Sequence, residues 1–511
     1  MKRSLGPINN QQLEFFNGVG NYLKENTTSE NFIQTLLVLF IVNLFYSTFH
    51  QTAGIDISTI GFCWLGAISS YVVNHITQHR KIKVAIEKGE IQEDSIEAKV
   101  TVPPFENLYV STLPILICYL LRKDLLVINL GMVFALMDSP DIINIFTSTA
   151  VMYNFQEKED GLSCVTVPVL HYVIRTIIDY YVENSLNKPE KCLFATLFVN
   201  LVFAVNDETS DVVLVIFKYL IYWFAGLTIT VTPLYWIYSD NSKNFWLRNL
   251  ILICIYAIFI VGFYNGVVNS LTPILKNHPL SWLKIFITQS KTRFKIMEIW
   301  IGLFFTITPI FLKFSSSWQI DLKRKIWHFI LFFTTLHPLI IDPELVKLAF
   351  VGLIGVFMII ETLRCTRLPP FGPQLANLLK PYQDHRDNQG PIVISYLFLL
   401  FGVALPIFWK NSVAGLICLG LGDSAASIIG RRIGSLPWFE TKKTMEGTLA
   451  FLTFSIIGLY FYKYMGGDDY SFNSILMSSV FTAMLEAVSH ANDNLLAPAY
   501  MFAMLEVTKN S

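Results

Sequence analysis

The residues best suited to chemistry lie between Gly420 and Thr448, where the sequence reads GLGDSAASIIGRRIGSLPWFETKKTMEGT. This stretch begins inside an apolar run, yet acidic, arginine and lysine side chains follow one another along it. Carboxylates can hold a hard divalent cation, lysine ammonium groups can neutralise phosphate charge, and glycines let the backbone approach a phosphate. The combination predicts a site for a magnesium-bound polyphosphate.

Asp423 is the most informative of these residues because it lies deep in an apolar run. An aspartate at the centre of a membrane costs roughly 2.5–3.5 kcal/mol on insertion scales, so its carboxylate must be paired, bound to a cation or exposed to water. Gly420 and Gly422 precede it, and we expect the helix to break there, with Asp423 as the N-cap of a new segment beginning at Ser424. A half-helix N-terminus that faces water is an anion site.

The polar residues after Asp423 extend this prediction. Ser427 and Arg431 follow at four-residue intervals, so the three side chains share one helical face. A basic loop then leads to the run K-K-T-x-E-G at residues 442–447. A broken helix followed by a positively charged loop would explain the arginines and lysines, but it would explain neither Asp423 nor this run.

The elements that must position these residues are predicted to be transmembrane helices. The chain of 511 residues is 53% apolar and 15% charged, whereas a soluble domain has about 25% charged residues. We predict an all-α, polytopic integral membrane protein with roughly 15 transmembrane helices, because apolar runs long enough for a hydrocarbon core recur throughout. A net charge of zero argues against a nucleic-acid partner. The predicted spans are 32–49, 56–74, 107–122, 124–140, 192–206, 211–238, 246–269, 297–313, 326–342, 345–363, 391–409, 412–429, 448–464, 474–490 and 494–507.

Loop charge predicts which side of the membrane each polar cluster occupies. If every run from 326 onward spans once, the basic loops fall on one side, which the positive-inside rule makes cytosolic. The segment HANDN at 490–494 falls on the same side, so four polar clusters meet at one membrane surface. The basic clusters are 323–325, 364–386 and 431–443, and the short loops of the opposite side are 341–344, 410–411 and 466–469.

The chain divides into two regions of different character. Residues 1–295 form a multi-span region of unassigned role, and residues 296–511 carry the clustered polar loops of a catalytic membrane domain. In the first region His171, Arg175 and Asp179 recur every fourth residue on one helical face. We interpret them as a satisfied polar stripe within a helix bundle rather than as a site.

Other patterns in the sequence predict no chemistry. The seven cysteines are isolated, with neither a C-x-x-C pair nor a zinc-binding spacing, so they are expected to be apolar fillers. The P-loop pattern G-x-x-x-x-G-K-[ST] does not occur. The triplet His385-Arg386-Asp387 matches the catalytic triplet of protein kinases, but the rest of that signature set is missing, so we treat it as coincidence.

Three motifs together resemble those of the membrane polyprenol kinases, a CTP-dependent family that includes dolichol kinase, phytol kinase and a diacylglycerol kinase. The family is distantly similar to the phosphatidate cytidylyltransferases. The resemblance covers about residues 296–511 by motif and the remainder only by hydropathy. The motifs are D-x-x-A-x-x-x-G-x-x-x-G (Asp423, Ala426, Gly430, Gly434) with K-K-T-x-E-G (Lys442 to Gly447), R-K-x-x-H (Arg324, Lys325, His328), and E-A-x-S-x-x-x-D-N-L (Glu486 to Leu495).

The resemblance implies transfer of the γ-phosphate of CTP to the terminal hydroxyl of dolichol, at the cytosolic face of the endoplasmic reticulum membrane. The product would be dolichyl phosphate, the lipid carrier for N-glycosylation and related sugar transfers. The length of the chain, with many spans ahead of the motifs, is similar to that of the eukaryotic dolichol kinases. CTP as the donor rests on the resemblance alone.

Phosphoryl transfer requires positioning and charge neutralisation, which leads to a hypothesis for the roles of individual residues. Asp423 and Glu446 are expected to hold magnesium or another divalent cation, and Lys442 and Lys443 to clamp the phosphates. The arginine pair of the loop either neutralises the migrating phosphoryl group or anchors the loop at the membrane surface. The expected nucleotide-binding residues are Gly422, Asp423, Ser427, Gly430, Arg431, Arg432, Gly434, Lys442, Lys443, Thr444, Glu446 and Gly447.

The acceptor hydroxyl needs alignment and a base. Asp493 is the first candidate because it begins an apolar run at the cytosolic edge between two asparagines, and His328 is the second. Glu486, inside its span, is expected either to support a site residue or to face a pore. The catalytic set is therefore Asp423, Glu446, His328 and Asp493, and the supporting residues are Arg324, Lys325, Glu486, Ser489, Asn492 and Asn494.

Three other functions are compatible with parts of this pattern. A CTP-dependent diacylglycerol kinase and an enzyme similar to the phosphatidate cytidylyltransferases would use the same motifs on other substrates. A polytopic transporter would also contain broken helices and intramembrane charges. A transporter should carry matching interrupted segments in its two halves, and the N-terminal half has no counterpart of GLGDS.

Overall fold

The computed structural model is helical throughout the part of the chain that it describes. In that part no β-strand forms, and the one bridge of β type joins Pro437 to Thr444. The residues described are 29–49, 80–88, 125–136, 140–155, 161–208, 210–240, 244–314, 318–383, 387, 390–438, 443–489 and 493–509, with a few single positions between 61 and 117.

The N-terminal helices include several that the hydropathy pattern predicts. The predicted spans 56–74 and 107–122 lie almost entirely outside the described residues. The helices up to residue 314 are α1 (Ser29–Phe49), α2 (Leu126–Met132), α3 (Asp141–Phe155), α4 (Gly161–Tyr181), α5 (Lys188–Ala204), α6 (Val212–Asp240), α7 (Phe245–Leu275), α8 (Pro279–Thr288) and α9 (Lys291–Phe314).

The C-terminal helices include four that pack around one central segment. They are α10 (Ile320–Ile341), α11 (Pro343–Thr366), α12 (Phe371–Leu379), α13 (Ser395–Lys410), a π-helical segment (Leu416–Asp423) continued by α14 (Ser424–Arg432), α15 (Met445–Tyr464), α16 (Phe472–Val488) and α17 (Asp493–Thr508).

Within the described residues, six helices are long and apolar enough to cross a membrane: α4, α6, α7, α9, α11 and α15. The chain is therefore a multi-pass membrane protein, but the predicted number of roughly 15 spans is not confirmed. Helices α3, α4, α8 and α12 lie outside every predicted span, although the sequence did predict a helical face in α4. The polar residues of α4, with Pro168 inside the helix, lower its apparent hydropathy although it is long enough to span.

The central segment of the C-terminal half is buried along its length. Residues 412–426 are all buried, and α10, α13, α15 and α17 pack around them. Its glycines admit these neighbours: a Cβ at Gly420 would lie 2.7 Å from Phe332 Cβ of α10, and a Cβ at Gly415 would lie 2.4 Å from the carbonyl oxygen of Gly402 in α13. The glycines therefore serve close packing between helices.

The predicted helix break at Gly420 and Gly422 is wrong. The segment stays helical, with the wider π turn running directly into α14, and Asp423 has helical backbone angles without a capping hydrogen bond from its side chain. The wider turn accommodates the local packing without interrupting the backbone hydrogen bonds.

The polar stripe of α4 is satisfied by neighbouring helices, as predicted. His171 Nε2 lies 3.3 Å from the carbonyl oxygen of Cys192, and Lys191 Nζ lies 2.5 Å from Asp179 Oδ1. Arg175 forms an ion pair with Asp141 at the start of α3. The stripe thus joins α3, α4 and α5.

The two halves of the chain contact each other at both ends of the helices. Lys347 Nζ of α11 lies 2.6 Å from Asp211 Oδ2, just before α6. At the other end, the backbone N–H of Ile392 donates to Ser185 Oγ at 3.2 Å. Asp387, from the kinase-like triplet, accepts hydrogen bonds from Ile394 and Ser395 at the start of α13, a structural role that agrees with treating the triplet as coincidence.

Candidate active site

Helix α10 brings two of the predicted residues to the central segment. Lys325 and His328 are three residues apart, so they share one face of the helix. Both side chains point to Asp423, which is 6% exposed. A buried carboxylate requires a partner, and Lys325 Nζ supplies it in an ion pair with Asp423 Oδ2.

His328 completes this cluster through its Nδ1 atom. That atom lies 3.6 Å from Asp423 Oδ2 and 3.3 Å from the carbonyl oxygen of Leu419. The same carbonyl accepts a hydrogen bond of 2.9 Å from Ser424 Oγ. The π turn therefore presents a backbone oxygen to His328 beside the carboxylate, an arrangement that sequence reasoning did not predict.

The loop between α14 and α15 folds back tightly on both helices. Trp438 N–H donates to the carbonyl oxygen of Lys443 at 2.8 Å, and Met445 N–H donates to that of Leu436 at 2.8 Å. A Cβ at Gly434 would lie 2.1 Å from the carbonyl oxygen of Gly430. Close approach explains why this loop contains glycine.

The K-K-T-x-E-G run begins α15 and fixes the loop. Thr444 is the N-cap of the helix, and its Oγ1 accepts from the N–H of Gly447 at 3.2 Å. Glu446 Oε1 accepts from the backbone N–H of Ser435 at 2.8 Å and from its Oγ at 2.6 Å. Ser435 was not predicted, and no pattern in the sequence pointed to it.

Lys443 joins this loop to the end of α16. Its Nζ lies 2.7 Å from Glu486 Oε1 and also donates to the backbone carbonyl of Glu486. Glu486 is therefore a partner of a predicted phosphate-binding lysine. Ser489 of the same motif is buried, and its Oγ has no hydrogen-bond partner in the part of the chain that the structure describes.

The arginine pair lies at the outer end of α14. Both Arg431 and Arg432 are exposed, and Ser427 is half-buried one turn earlier. Arg431 pairs with Asp321 of α10, a residue outside every motif. Gly422 faces α15, where a Cβ would lie 2.7 Å from Ser455 Oγ.

Asp423 and the K-K-T-x-E-G run lie at the same end of the helix pair. A Cβ at Gly447 would lie 3.1 Å from the carbonyl oxygen of Ala426, so α14 and α15 cross closely there. Asp423 precedes Ala426 by three residues, about 4.5 Å along the helix axis. The structure thus brings the separate motifs together at one end of the bundle.

Some predicted residues cannot be placed in this cluster. Lys442 and Asn492 lie outside the described residues, and of Asp493 only the backbone is described, as the first residue of α17. Asn494 is buried. Arg324, beside Lys325, is half-buried.

The carboxylates of Asp423 and Glu446 suit a magnesium ion that is also bound by a nucleotide better than a metal ion bound by protein side chains alone. Among the described residues, no three His, Cys, Asp or Glu side chains gather around one point. Mg²⁺ uses one or two carboxylates together with substrate phosphates and water. Asp423 is held through Oδ2, and Glu446 mainly through Oε1, so each carboxylate retains acceptor capacity.

Fold and site together define a multi-pass, all-helical membrane protein with lysine–carboxylate pairs at one end of its helix bundle. The dolichol kinase N-terminal domain family matches residues 2–206. Dolichol kinase of Saccharomyces cerevisiae is 32% identical over 413 residues, covering 78% of this chain and 77% of the relative. The chain belongs to the dolichol kinase family.

Shorter matches come from other organisms. Dolichol kinase of Homo sapiens is 30% identical over 261 residues, covering 45% of this chain and 48% of the relative. Probable phytol kinase 1 of Glycine max is 28% identical over 213 residues, covering 36% of this chain and 66% of the relative. No solved structure matches the chain.

Proposed function

We propose that this protein transfers the γ-phosphate of CTP to the terminal hydroxyl of dolichol, at the cytosolic face of the endoplasmic reticulum membrane. Membership of the dolichol kinase family supports phosphorylation of dolichol. The observation that carries the proposed site is the buried Lys325–Asp423 ion pair, next to the hairpin that begins α15. CTP as donor rests on the resemblance of the motifs, and the cytosolic orientation rests on loop charge.

Phosphoryl transfer depends mainly on positioning and on neutralising charge. Asp423 and Glu446 would hold Mg²⁺, which when bound supplies positive charge to the phosphate oxygens. Lys443 can exchange its partner Glu486 for a phosphate, because its side chain lies in the loop and is 30% exposed. Lys442, its neighbour in the motif, is proposed to bind the same phosphates.

The acceptor side of the reaction is proposed at the start of α17. The dolichol oxygen attacks the γ-phosphorus, the bond to the bridging oxygen breaks, and CDP leaves with the electron pair. The hydroxyl proton passes to Asp493, the first residue of the helix. His328 is better suited to orienting Asp423 than to accepting this proton, because its Nδ1 is directed to Asp423 and Leu419.

The direct test uses the full chain in microsomes with CTP labelled in either the γ-phosphate or the cytidine. Label from the γ-phosphate should appear in a dolichol-dependent lipid product, and label from cytidine should stay in the aqueous phase. Cytidine in the lipid would indicate a cytidylyltransferase. A preference for diacylglycerol over dolichol would contradict the proposed acceptor, and failure of both labels to enter lipid would contradict the proposed kinase activity.

A further inference from the structure

An apolar chamber of about 460 Å³ lies between the N-terminal half and the C-terminal half. Helices α5 and α6 form one wall, and α13 and α17 form the other. Ligand pockets occupy roughly 300–1,000 Å³, so the chamber can hold part of a small molecule or a few units of a long chain. The mechanism described above does not use it.

The charged residues of the chamber wall are neutralised by partners. Among the described lining residues these are Lys410 and Asp211. Lys410 Nζ lies 2.7 Å from Glu506 Oε2, and Asp211 Oδ2 lies 2.6 Å from Lys347 Nζ. The chamber therefore offers a neutral environment, which favours an uncharged chain over a phosphate headgroup.

The polar side chains of the wall also bind one another. Asn129 Nδ2 donates to Asn200 Oδ1 at 2.9 Å, and Asn200 Nδ2 donates to Asn129 Oδ1 at 3.0 Å. Most of the remaining wall is aliphatic or aromatic, with Leu197 from the N-terminal half and Leu405 from the C-terminal half. An apolar occupant would gain stabilisation from burial there without breaking a hydrogen bond.

The chamber extends from the proposed acceptor site towards the other side of the bundle. One end is bounded by Leu495 and Leu496, in the first turn of α17 beside Asp493. Along α13 the lining runs from Phe401 to Lys410, which is about 14 Å of helix. A chain whose hydroxyl lies near Asp493 would enter the chamber with its adjoining carbons.

We propose that this chamber binds the isoprene units next to the hydroxyl of the lipid acceptor, and that α5 of the N-terminal half supplies one of its walls. The inference rests on the proposed function, and it gives the N-terminal region a part in substrate binding. The branched methyl groups of an isoprenoid suit a wide chamber lined with rings such as those of Phe217 and Phe401. The remainder of the long tail would stay in the bilayer.

The first test narrows the chamber by Leu197→Trp on α5 and Leu405→Trp on α13. Each indole would occupy the space of isoprene carbons, so KM for dolichol should rise about tenfold or more while KM for CTP stays unchanged. A prenol too short to fill the chamber should be affected less. Leu250→Trp is the matched control, because Leu250 of α7 is 59% exposed and lies outside the chamber.

The second test needs no variant and no turnover. A polyprenol with a photoreactive group on its first isoprene units is crosslinked to the full wild-type protein in vesicles of phosphatidylcholine. Labelled peptides should come from the four helices of the chamber wall, α5, α6, α13 and α17, and excess dolichol should abolish the labelling while added phosphatidylcholine should not. Labelling elsewhere, or competition by phospholipid, would overturn the chamber as the isoprenoid site.

The two proposals fail in distinguishable ways. If the wild-type protein phosphorylates dolichol, but both tryptophan variants keep its KM and the crosslinks map elsewhere, only the chamber is refuted. If the wild-type protein phosphorylates no prenol, the proposed function is refuted whatever the crosslinks show.

Discussion

Lys325 and Asp423 form the ion pair around which the other site residues are arranged. The two side chains are 13% and 8% exposed, and they come from positions 98 residues apart. A buried ion pair contributes little more to the free energy of unfolding than apolar residues of similar size would. Removing one partner, however, leaves the other charge buried and unpaired. The pair therefore fixes the position of the carboxylate that is proposed to hold Mg²⁺.

Substitutions at Lys325 and Asp423 can separate the effect of the pair on stability from its effect on activity. Asp423→Asn should lower the free energy of unfolding by roughly 3–5 kcal/mol, because the Lys325 ammonium stays buried without a counter-charge. The double variant Lys325→Met/Asp423→Asn should recover thermal stability in detergent, yet phosphotransfer should remain reduced on the order of a hundredfold or more. Recovery of activity together with stability would show that the pair is only structural.

Glu446 combines a hydrogen bond to the loop with a proposed metal contact. Glu446→Gln keeps an oxygen that can accept from Ser435 but removes the charge that attracts a cation. The Mg²⁺ concentration for half-maximal activity should therefore rise about tenfold, measured by magnesium titration at saturating CTP. Ser435→Ala is the control, since it removes one hydrogen bond and leaves the carboxylate. An unchanged magnesium requirement in the Gln variant would exclude Glu446 as a ligand.

The α14–α15 hairpin is the element that holds the proposed nucleotide-binding motif together. Its shape depends on glycines at which added side-chain atoms would collide with the backbone, as at Gly434. Since a backbone carbonyl cannot rotate away like a side chain, relief of such a collision must open the hairpin.

Gly434→Ala should accordingly cost about 1–3 kcal/mol of stability and raise KM for CTP. Gly302→Ala in α9 is the control, because a Cβ there meets nothing within 4 Å and alanine favours a helix. Unfolding in detergent and CTP saturation curves measure both effects. A Gly434 variant that binds CTP normally would contradict the role of the hairpin.

Sequence patterns singled out residues that lie close together in the structure, but they predicted less of the helices that hold them. Asp423 was recognisable because a carboxylate is conspicuous in an apolar run, whereas Lys325 and His328 were singled out by the resemblance of R-K-x-x-H to the family motif. The continuous helix through Gly422 was not predictable, because a glycine before an aspartate is equally compatible with a break and with close packing. The helix that packs against the glycine decides whether the backbone breaks or continues, and local sequence does not show which helix that is.

At the scale of the whole molecule, the N-terminal and C-terminal halves are joined by direct contacts. Ser185 hydrogen-bonds to the segment before α13, and Lys347 pairs across to Asp211. A Cβ at Gly390 would lie 2.0 Å from Ser185 Oγ, so this contact is also tightly packed. The division into 1–295 and 296–511, predicted from loop character, is therefore not expected to describe independent folding units.

Expression of the halves tests this expectation. Residues 296–511 alone should lack kinase activity and unfold at lower temperature, because one face of α13 loses its partners. Co-expression of residues 1–295 should restore activity in the membrane fraction. The full chain produced in parallel serves as control. Full activity of the C-terminal fragment by itself would mean that the contacts between the halves are dispensable.

The π segment from Leu416 to Asp423 has a consequence for changes in chain length. A π turn contains one residue more than an α turn, so the loss of one residue, such as Cys418, can be absorbed by tightening to ordinary α geometry. Asp423 would keep its direction, although the Leu419 carbonyl would no longer be offered to His328. Helix α15 contains no wider turn that could absorb the loss of a residue. Deletion of one residue there would therefore rotate one end of the helix by about 100° relative to the other. Homologues that are one residue shorter in this stretch should therefore keep the aspartate in the same position.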